Sequence, residues 1–159
     1  MDILDEEIVD LWRGLHKHGV FYIMIGGFAT NLHGFQRTTG DIDLWIKDTK
    51  ENKKKLGIVL RDLRIADYKN IENMEFAPGW STLYLNSGFE LDIMTFIKGF
   101  EKDTFDKCYK LAPIALMYEI PVKFLHINQL IQAKKASARP KDRLDVIELE
   151  KIKNRKDNT

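Results

Sequence analysis

Two aspartates, Asp41 and Asp43, lie two residues apart in a short apolar segment. On a β-strand, residues i and i+2 project from the same face, so both carboxylates point to one side while Ile42 and Leu44 point to the other. Two ionised carboxylates side by side repel each other and destabilise a folded sheet. A divalent cation bound by both offsets that repulsion. The pair therefore predicts a metal site.

A third carboxylate, Asp92, lies between Leu91 and Ile93 in a later apolar segment. If the two strands are neighbours, all three carboxylates meet at one patch. Mg²⁺ prefers oxygen ligands and completes its shell with substrate phosphate and water. Two such ions can stabilise the entering and leaving oxygens of an in-line phosphoryl displacement. We therefore expect Asp41, Asp43 and Asp92 to be catalytic and to bind two Mg²⁺ ions, with Mn²⁺ as the alternative metal.

The glycine pair Gly26-Gly27 follows the continuous apolar run 20–25. Residues without side chains let the backbone approach a phosphate closely, and a following helix presents free N–H groups at its N-terminus. The pair therefore predicts a triphosphate-binding turn. A tight turn between a strand and a helix, without a ligand, is the structural alternative.

The composition is that of an ordinary globular protein. The chain has 159 residues, of which 44% are hydrophobic and 31% charged, and its formal net charge is +1. This length predicts a single domain over residues 1–159. Cys108 is the only cysteine, which excludes an internal disulfide and a thiolate metal site and fits a reducing cytoplasm. The acidic start lacks a signal-peptide pattern, and no apolar run reaches the roughly 20 residues that cross a bilayer, so we expect a cytoplasmic protein without a membrane partner.

Hydrophobic periodicity and turn residues predict a mixed order of helices and strands. Pro140 is suited to a first helical position. Asp48 and Glu51 fit a capping box at the start of the third helix. The expected elements are a helix ending near Gly19, a strand over 20–25, a short helix over 28–34, a strand over 41–46, a helix after Asp48, a long loop over 66–81, a hairpin over 82–94, a short helix over 103–110, a strand over 122–125, a helix over 129–137 capped by Asn128, a final helix from Pro140, and a frayed tail over 153–159.

An apolar strand, Gly-Gly, a helix and Asp-x-Asp on the next strand together resemble the nucleotidyltransferase superfamily that includes DNA polymerase β. The string from Gly26 to Leu44 is similar in particular to small bacterial members of toxin–antitoxin and abortive-infection systems. The segments 130–134 and 138–142 are similar to the Lys-containing helix and the Arg-Pro-Lys-Asp segment of those proteins. The resemblance spans about 20–149.

The resemblance implies an α/β nucleotidyltransferase-like fold, a small mixed β-sheet with helices packed mainly on one face. It implies an enzyme that transfers a nucleoside monophosphate from a nucleoside triphosphate such as ATP to an acceptor hydroxyl and releases pyrophosphate. By position, Gly26 and Gly27 bind the triphosphate, and Asp41 and Asp43 bind the metals. Asp92 helps to hold the catalytic metal and accepts the proton of the acceptor.

Three further residues are candidates for nucleotide binding. Arg37 and Thr39 precede the first aspartate, and Lys134 lies in the Lys-containing helix. Their side chains could contact phosphate; a hydrogen-bonded loop and a solvated helix face are the structural alternatives. Asp92 could likewise pair with Arg37 instead of a metal.

The acceptor has several candidates. A macromolecule, either a partner toxin protein or a tRNA, fits a toxin–antitoxin or phage-defence module, and an oligomer is possible. Since the chain leaves little room for a separate acceptor domain, loops, another subunit or a partner protein would bind the acceptor. A lincosamide-type antibiotic would instead require residues 66–81 to line a small pocket. A non-catalytic nucleotide-binding scaffold is the third interpretation.

Overall fold

The computed structural model describes residues 3–101, 104–137 and 139–158. Helices and strands alternate over most of the chain, as the sequence predicts. The helices are α1 (Ile3–Lys17), α2 (Gly26–Leu32), α3 (Lys50–Asp62), α4 (Phe105–Leu111), α5 (Ile127–Ser137) and α6 (Pro140–Asp157), and the strands are β1 (Tyr22–Ile25), β2 (Asp41–Ile46), β3 (Thr82–Tyr84), β4 (Glu90–Met94), β5 (Ile114–Met117) and β6 (Ile120–Lys123).

The main sheet has four strands in the order β1-β2-β4-β3. β1 is antiparallel to β2, β2 is parallel to β4, and β3 is antiparallel to β4. The sheet is therefore small and mixed, which confirms the expected α/β class. The central strands β2 and β4 are apolar on the face opposite the aspartates, and Ile42, Leu44, Leu91 and Ile93 are fully buried there.

The strands β5 and β6 form a second, antiparallel sheet. The residue after β6, Phe124, bridges Met24 in parallel, so the hairpin lies beside β1. The sequence predicts one strand over 122–125 in this region and misses β5. The reason is that the solvent-facing side chains of β5, Ile114 and Leu116, are apolar, so the strand lacks the polar–apolar alternation of a half-buried strand.

Several element boundaries differ from the prediction. The short helix begins at Gly26 itself and not at Phe28, so the glycine pair forms the first turn of α2. The expected capping box is wrong: Thr49 is the N-cap of α3 and accepts from the Asn52 N–H, while Asp48 pairs with Lys53 at 2.8 Å.

The later helices also differ in detail. α5 begins at Ile127, so Asn128 lies inside it, and the Asn128 N–H donates to His126 Nδ1. The expected start of α4 at Asp103 lies outside the described residues. α6 begins at Pro140 as predicted, but it continues to Asp157 through most of the segment expected to be frayed.

A single large cluster of buried apolar side chains joins the main sheet, the hairpin and all six helices. Trp12 and Trp45 are its largest fully buried members. The long segment between α3 and β3 holds only a short 3-10 helix, Ile71–Asn73. No helix among the described residues has the length and the apolar character required to span a membrane. One domain over the whole chain stays a prediction.

Candidate active site

The register of the main sheet brings the three aspartates together. Asp43 of β2 is the neighbour of Asp92 on the parallel strand β4. Side chains in the same row of neighbouring strands point to the same face, and Asp41 shares that face with Asp43 because it lies two residues away. All three carboxylates line one cavity of about 620 Å³. The sequence-based expectation of a common patch is therefore met in the geometry.

Gly26 leaves no space for a side chain, and neither does Gly27. Gly26 has a φ of +72°, which L side chains rarely adopt, and a Cβ atom there would lie 2.0 Å from Asp43 Oδ2. A Cβ atom on Gly27 would lie 2.6 Å from Thr39 Oγ1. The backbone of the glycine pair thus packs directly against two polar side chains of the same cavity.

Burial and neighbouring carboxylates raise the pKa values of Asp43 and Asp92. Burial is the main reason why the pKa of Asp43 rises from its ordinary value of 3.8 to about 7. The negative charges of Asp41 and Asp92 and a hydrogen bond with Asp41 raise it further, while the charge of Lys134 lowers it. A carboxyl group with such a pKa exchanges its proton near neutral pH, which is typical of functional sites.

Asp92 has two different carboxylate oxygens. Oδ2 accepts the backbone N–H of Gly79 at 3.1 Å. Oδ1 is buried and has no hydrogen-bond partner among the described residues. Burial raises the pKa of Asp92, and the charges of Asp41 and Glu90 act in the same direction against the Gly79 N–H and Arg139. One oxygen is thus fixed by the loop, and the other is available to a ligand or a proton.

The donor atoms fit a hard divalent cation. Asp41, Asp43 and Asp92 offer only oxygens, which Mg²⁺ and Mn²⁺ prefer. Among the residues with described positions, no group of three or more Asp, Glu, His or Cys side chains is arranged as a complete metal site. Oxygen donors without a complete metal site are compatible with Mg²⁺ binding, because Mg²⁺ is usually bound by one or two carboxylates together with substrate phosphates and water. Asp41, Asp43 and Asp92 are therefore the residues that would hold a divalent cation, with a phosphate ligand to complete its shell.

A second charged cluster lies against the same cavity. Lys134 of α5 is almost completely buried, and its Nζ lies 2.7 Å from Asp145 Oδ2 and 3.5 Å from Asp142 Oδ1. Arg37 also binds Asp145, through Nη2 at 2.8 Å. The pairing of Arg37 with Asp92 that the sequence left open is therefore not formed, and Lys134 does not lie on a solvated face.

Asp142 completes this cluster from the first turn of α6. Its Oδ2 accepts from Ser137 Oγ and from Arg139 Nε, the latter at 2.7 Å. Burial raises the pKa of Asp142, but the two hydrogen bonds and the charges of Lys134 and Arg139 outweigh it, so its pKa lies below the ordinary value. Asp142 is thus held as an anion.

The residues predicted for nucleotide binding all line the cavity: Gly26, Gly27, Arg37, Thr39 and Lys134. Thr39 Oγ1 donates to the backbone oxygen of Asp41 at 3.2 Å. The Asp41 Oδ1 atom lies 3.5 Å from the same hydroxyl oxygen. The role of Asp142 and the presence of Asp145 in this cluster are not predicted from the sequence. The available signal was their spacing of three residues on α6, which puts both on one helix face.

The cavity is lined by both polar and apolar side chains. Leu130, Ala133, Lys134 and Ser137 line it from α5, and their spacing of three to four residues makes them one helix face. The first two side chains are apolar and the last two are polar. Met94 follows Asp92 on the same face of β4 and also lines the cavity. The site can thus hold a ligand with a charged and an apolar part.

The fold has counterparts among solved structures. The lincosamide antibiotic adenylyltransferase LnuA, in its lincomycin-bound form, superposes with a TM-score of 0.59 over 92% of this chain and 96% of its own, at 15% identity. The chain has the nucleotidyltransferase fold. ANT(2'')-Ia in complex with adenylyl-2''-tobramycin gives a TM-score of 0.58 at 16% identity, over 96% of this chain and 94% of its own.

A third solved structure is also similar. The antigenic nucleotidyltransferase-like protein of Paracoccidioides brasiliensis gives a TM-score of 0.54 at 17% identity, over 94% of this chain and 77% of its own. No protein-family model matches the chain, and no curated protein matches its sequence. At this level of identity the likeness establishes the fold, and the function has to be argued from the site.

Proposed function

We propose that this protein is a metal-dependent nucleotidyltransferase. It transfers a nucleoside monophosphate from a nucleoside triphosphate, with ATP as the first candidate, to a hydroxyl group of an acceptor. The observation that carries the proposal is that Asp41, Asp43 and Asp92 line one cavity together with Gly26 and Gly27. The fold of the similar structures agrees with it. We place the reaction in the cytoplasm.

In the proposed reaction, the acceptor oxygen attacks the α-phosphorus and forms the new P–O bond. The bond from that phosphorus to the pyrophosphate oxygen breaks, and pyrophosphate leaves with the electron pair. Asp41, Asp43 and Asp92 would hold Mg²⁺, which supplies positive charge to the triphosphate and the developing transition state. The unpartnered Oδ1 of Asp92 would accept the proton of the acceptor hydroxyl, since Oδ2 already accepts from Gly79.

The other lining residues would bind and orient the nucleotide. The backbone of Gly26 and Gly27 can approach phosphate closely because no side chain intervenes. Arg37 and Lys134 bring positive charge to the cavity, although Asp145 shares both cations. The sugar and base would pack against apolar lining residues such as Met94 and Leu130.

The first candidate acceptor is a macromolecule, a partner toxin protein or a tRNA, in a toxin–antitoxin or phage-defence module. The exposed side chains of Lys98 and Lys141 line the cavity, together with the more than half exposed Arg139. Cations at such a position would attract an acceptor that carries phosphate.

The second candidate acceptor is a small molecule with a hydroxyl group. Pro78 and Gly79, from the long segment before β3, line the cavity and make it concave. A volume of about 620 Å³ is in the range of small-molecule sites. Two of the similar structures carry lincomycin and adenylyl-2''-tobramycin, respectively.

The test is to incubate the protein with each α-labelled nucleoside triphosphate and Mg²⁺, with a bacterial extract, purified tRNA, lincomycin or tobramycin as the acceptor source. Label on a macromolecule supports the first candidate, and label on an antibiotic supports the second. Asp43→Asn is the control that should lose the transfer. If no acceptor is labelled with Mg²⁺ or Mn²⁺, the transferase proposal is wrong and a nucleotide-binding scaffold is favoured.

A further inference from the structure

One carboxylate on α6 holds two cations that line the cavity. Asp145 Oδ2 lies 2.7 Å from Lys134 Nζ and 2.8 Å from Arg37 Nη2. The Asp145 side chain is only 1% exposed and is not among the residues that line the cavity, whereas Lys134 and Arg37 both line it. Asp145 therefore acts on the contents of the cavity only through its partners.

The three side chains of this cluster come from three segments of the chain. Asp145 lies on α6, Lys134 on α5, and Arg37 in the link between α2 and β2. The backbone of Arg37 is held as well, because its N–H donates to Asn31 Oδ1 at 3.1 Å. The contact with Asp145 thus fixes the side chain of Arg37 relative to α6 and to the cation of α5.

The two cations lie close to both parts of the proposed nucleotide site. A Cβ atom on Gly27 would lie 3.3 Å from Arg37 Nη2, which is the nitrogen that binds Asp145. Burial raises the pKa of Asp43, and the nearby charge of Lys134 lowers it in part. Arg37 is thus beside the glycine turn, and Lys134 is near a proposed metal ligand.

Stability alone does not explain a buried carboxylate at this position. Lys134 already has a second anion, Asp142, whose Oδ1 lies 3.5 Å away. Asp145 Oδ1 is buried and has no hydrogen-bond partner among the described residues, although an unpaired buried oxygen costs free energy. Apolar side chains of similar volume often replace whole buried ion pairs without loss of stability. A role in placing its two partners accounts for the charge of Asp145.

We propose that Asp145 is a positioning residue, which holds Lys134 and Arg37 together as a binding pair for the pyrophosphate part of a nucleoside triphosphate. This inference rests on the proposed function and adds the residue that makes the site prefer triphosphates to nucleotides with fewer phosphates. Without the carboxylate, the two cations repel each other across a poorly solvated space. Each long side chain must then be ordered again when the nucleotide binds, which lowers the affinity.

Calorimetric titration with a non-hydrolysable ATP analogue and with AMP, each with Mg²⁺ at physiological ionic strength, tests this role. Asp145→Asn should weaken binding of the triphosphate about tenfold, because two long side chains lose their common anchor. Binding of AMP should change less than about twofold, because AMP lacks the phosphates that the pair binds. A general loss of stability would affect both nucleotides alike, so the ratio of the two affinities is specific to positioning.

A second variant keeps the charge and changes only the placement. Asp145→Glu retains the carboxylate, and therefore the balance of charges in the fold, but moves it by one methylene group. It should weaken triphosphate binding about threefold and leave AMP binding unchanged, since a displaced anchor misplaces both cations. If Asp145→Asn does not fold, Asp145→Glu decides the question. Circular dichroism establishes the folding of each variant.

Glu150→Gln is the matched control. Glu150 binds Lys135 at 2.9 Å and so also joins α6 to α5, but both side chains are largely exposed and neither lines the cavity of the aspartates. This variant should keep both affinities.

The outcomes separate the positioning role from the proposed function. If the wild type binds neither nucleotide, the proposed function is wrong as well. If the wild type binds the triphosphate, and the folded Asp145 variants bind it as tightly or more tightly, only the positioning role is overturned. Equal losses for the triphosphate and AMP also overturn it, since they indicate a structural role alone.

Discussion

Two groups of aspartates differ in their partners, and all of them except Asp145 line the cavity. The strand carboxylates are Asp41, Asp43 and Asp92, and the helix carboxylates are Asp142 and Asp145. The helix carboxylates are each only 1% exposed, yet the pKa of Asp142 is lowered. The strand carboxylates are less buried, yet the pKa values of Asp43 and Asp92 are raised. Burial raises the pKa of Asp142 as well as those of Asp43 and Asp92, so solvent exposure alone does not decide the charge state.

The deciding factor is the supply of hydrogen-bond donors and cations. Ser137, Arg139 and Lys134 donate to Asp142, and Arg37 and Lys134 bind Asp145. The strand carboxylates mainly face one another. The helix carboxylates thus use their charge within the protein, whereas the strand carboxylates have theirs available for a ligand that brings positive charge.

The largest expected effect comes from breaking the helix cluster. Asp145→Asn leaves the Lys134 ammonium and the Arg37 guanidinium near the cavity without their shared anion. Removal of one partner from a buried ion pair typically costs about 3–5 kcal/mol. Urea unfolding should therefore show a decrease of this size in the free energy of unfolding.

The matched control for that loss is an exposed pair. Asp10 binds Arg13 at 2.8 Å, and both side chains are more than half exposed. Asp10→Asn should change the free energy of unfolding by less than about 1 kcal/mol. If Asp145→Asn changes stability no more than Asp10→Asn does, the contrast between the two aspartate groups does not have the energetic basis that we give it.

The second prediction concerns the strand carboxylates. Asp43→Asn removes a proposed metal ligand while it keeps the side-chain shape beside Gly26. Since metal electrostatics contribute several kcal/mol to such a transition state, nucleotidyl transfer should fall about 100-fold or more. The measurement is incorporation of α-labelled nucleotide at saturating Mg²⁺. Retained activity in a folded Asp43→Asn variant would show that this carboxylate is not part of the reaction.

Asp43→Asn should lower the activity but raise the stability of the folded protein. The folded state raises the pKa of Asp43 to about 7, so the folded chain binds more protons than the unfolded chain between the ordinary value of 3.8 and 7. Stability from this group is therefore lost as the pH rises through that window. Asp43→Asn should become more stable than the wild type as the pH rises from about 4 to about 7, with a constant difference above that. Thermal unfolding over this pH range measures it.

The third prediction separates the two glycines that flank the site. Gly26→Ala introduces a Cβ atom that would lie 2.0 Å from Asp43 Oδ2, at a backbone φ of +72°. Such strain costs about 1–3 kcal/mol, and it displaces the carboxylate as well. Gly40→Ala is the control, because a Cβ atom there has no neighbour within 4 Å. Both stability and nucleotide binding should fall for Gly26→Ala only, as measured by unfolding and by calorimetric titration.

The sequence was sufficient for the central strands because their pattern is unambiguous. The apolar segments with single acidic residues at period two define β2 to the residue, and the hairpin signal defines β3 and β4. Asp41, Asp43 and Asp92 could be grouped because the strand period fixes which way each points. The parallel pairing of β2 with β4 could not be derived, since it depends on packing between segments almost fifty residues apart.

The helix carboxylates show what local patterns omit. Asp142 and Asp145 look like ordinary surface residues of a charged helix, since α6 is rich in Lys, Arg and Glu throughout. Their burial depends on how α6 packs against α5 and on Lys134, which is a long-range property. The predicted N-cap of α3 was wrong for a local reason. Asp48 and Thr49 are adjacent, both residue types can cap a helix, and Thr49 is the one that does.

The smallest expected effect is the pH dependence of metal–nucleotide binding. A cation binds the ionised form of Asp43, and the pKa of about 7 means that a proton must leave first at lower pH. For one group with this pKa, affinity should fall about tenfold from pH 8 to pH 6. Titration of the Mg²⁺ complex of a non-hydrolysable nucleoside triphosphate at both pH values measures the ratio.

Asp43→Asn is the control for this pH dependence. It should bind more weakly and lose this component of the ratio, because it has no proton to release there. Asp142 has a lowered pKa and stays ionised over the same range, so a remaining slope in that variant has another source, such as Asp92 or the nucleotide. An equal ratio in both proteins would show that Asp43 is not the group whose ionisation the cation requires, and the contrast between the two aspartate groups would then rest on Asp92 alone.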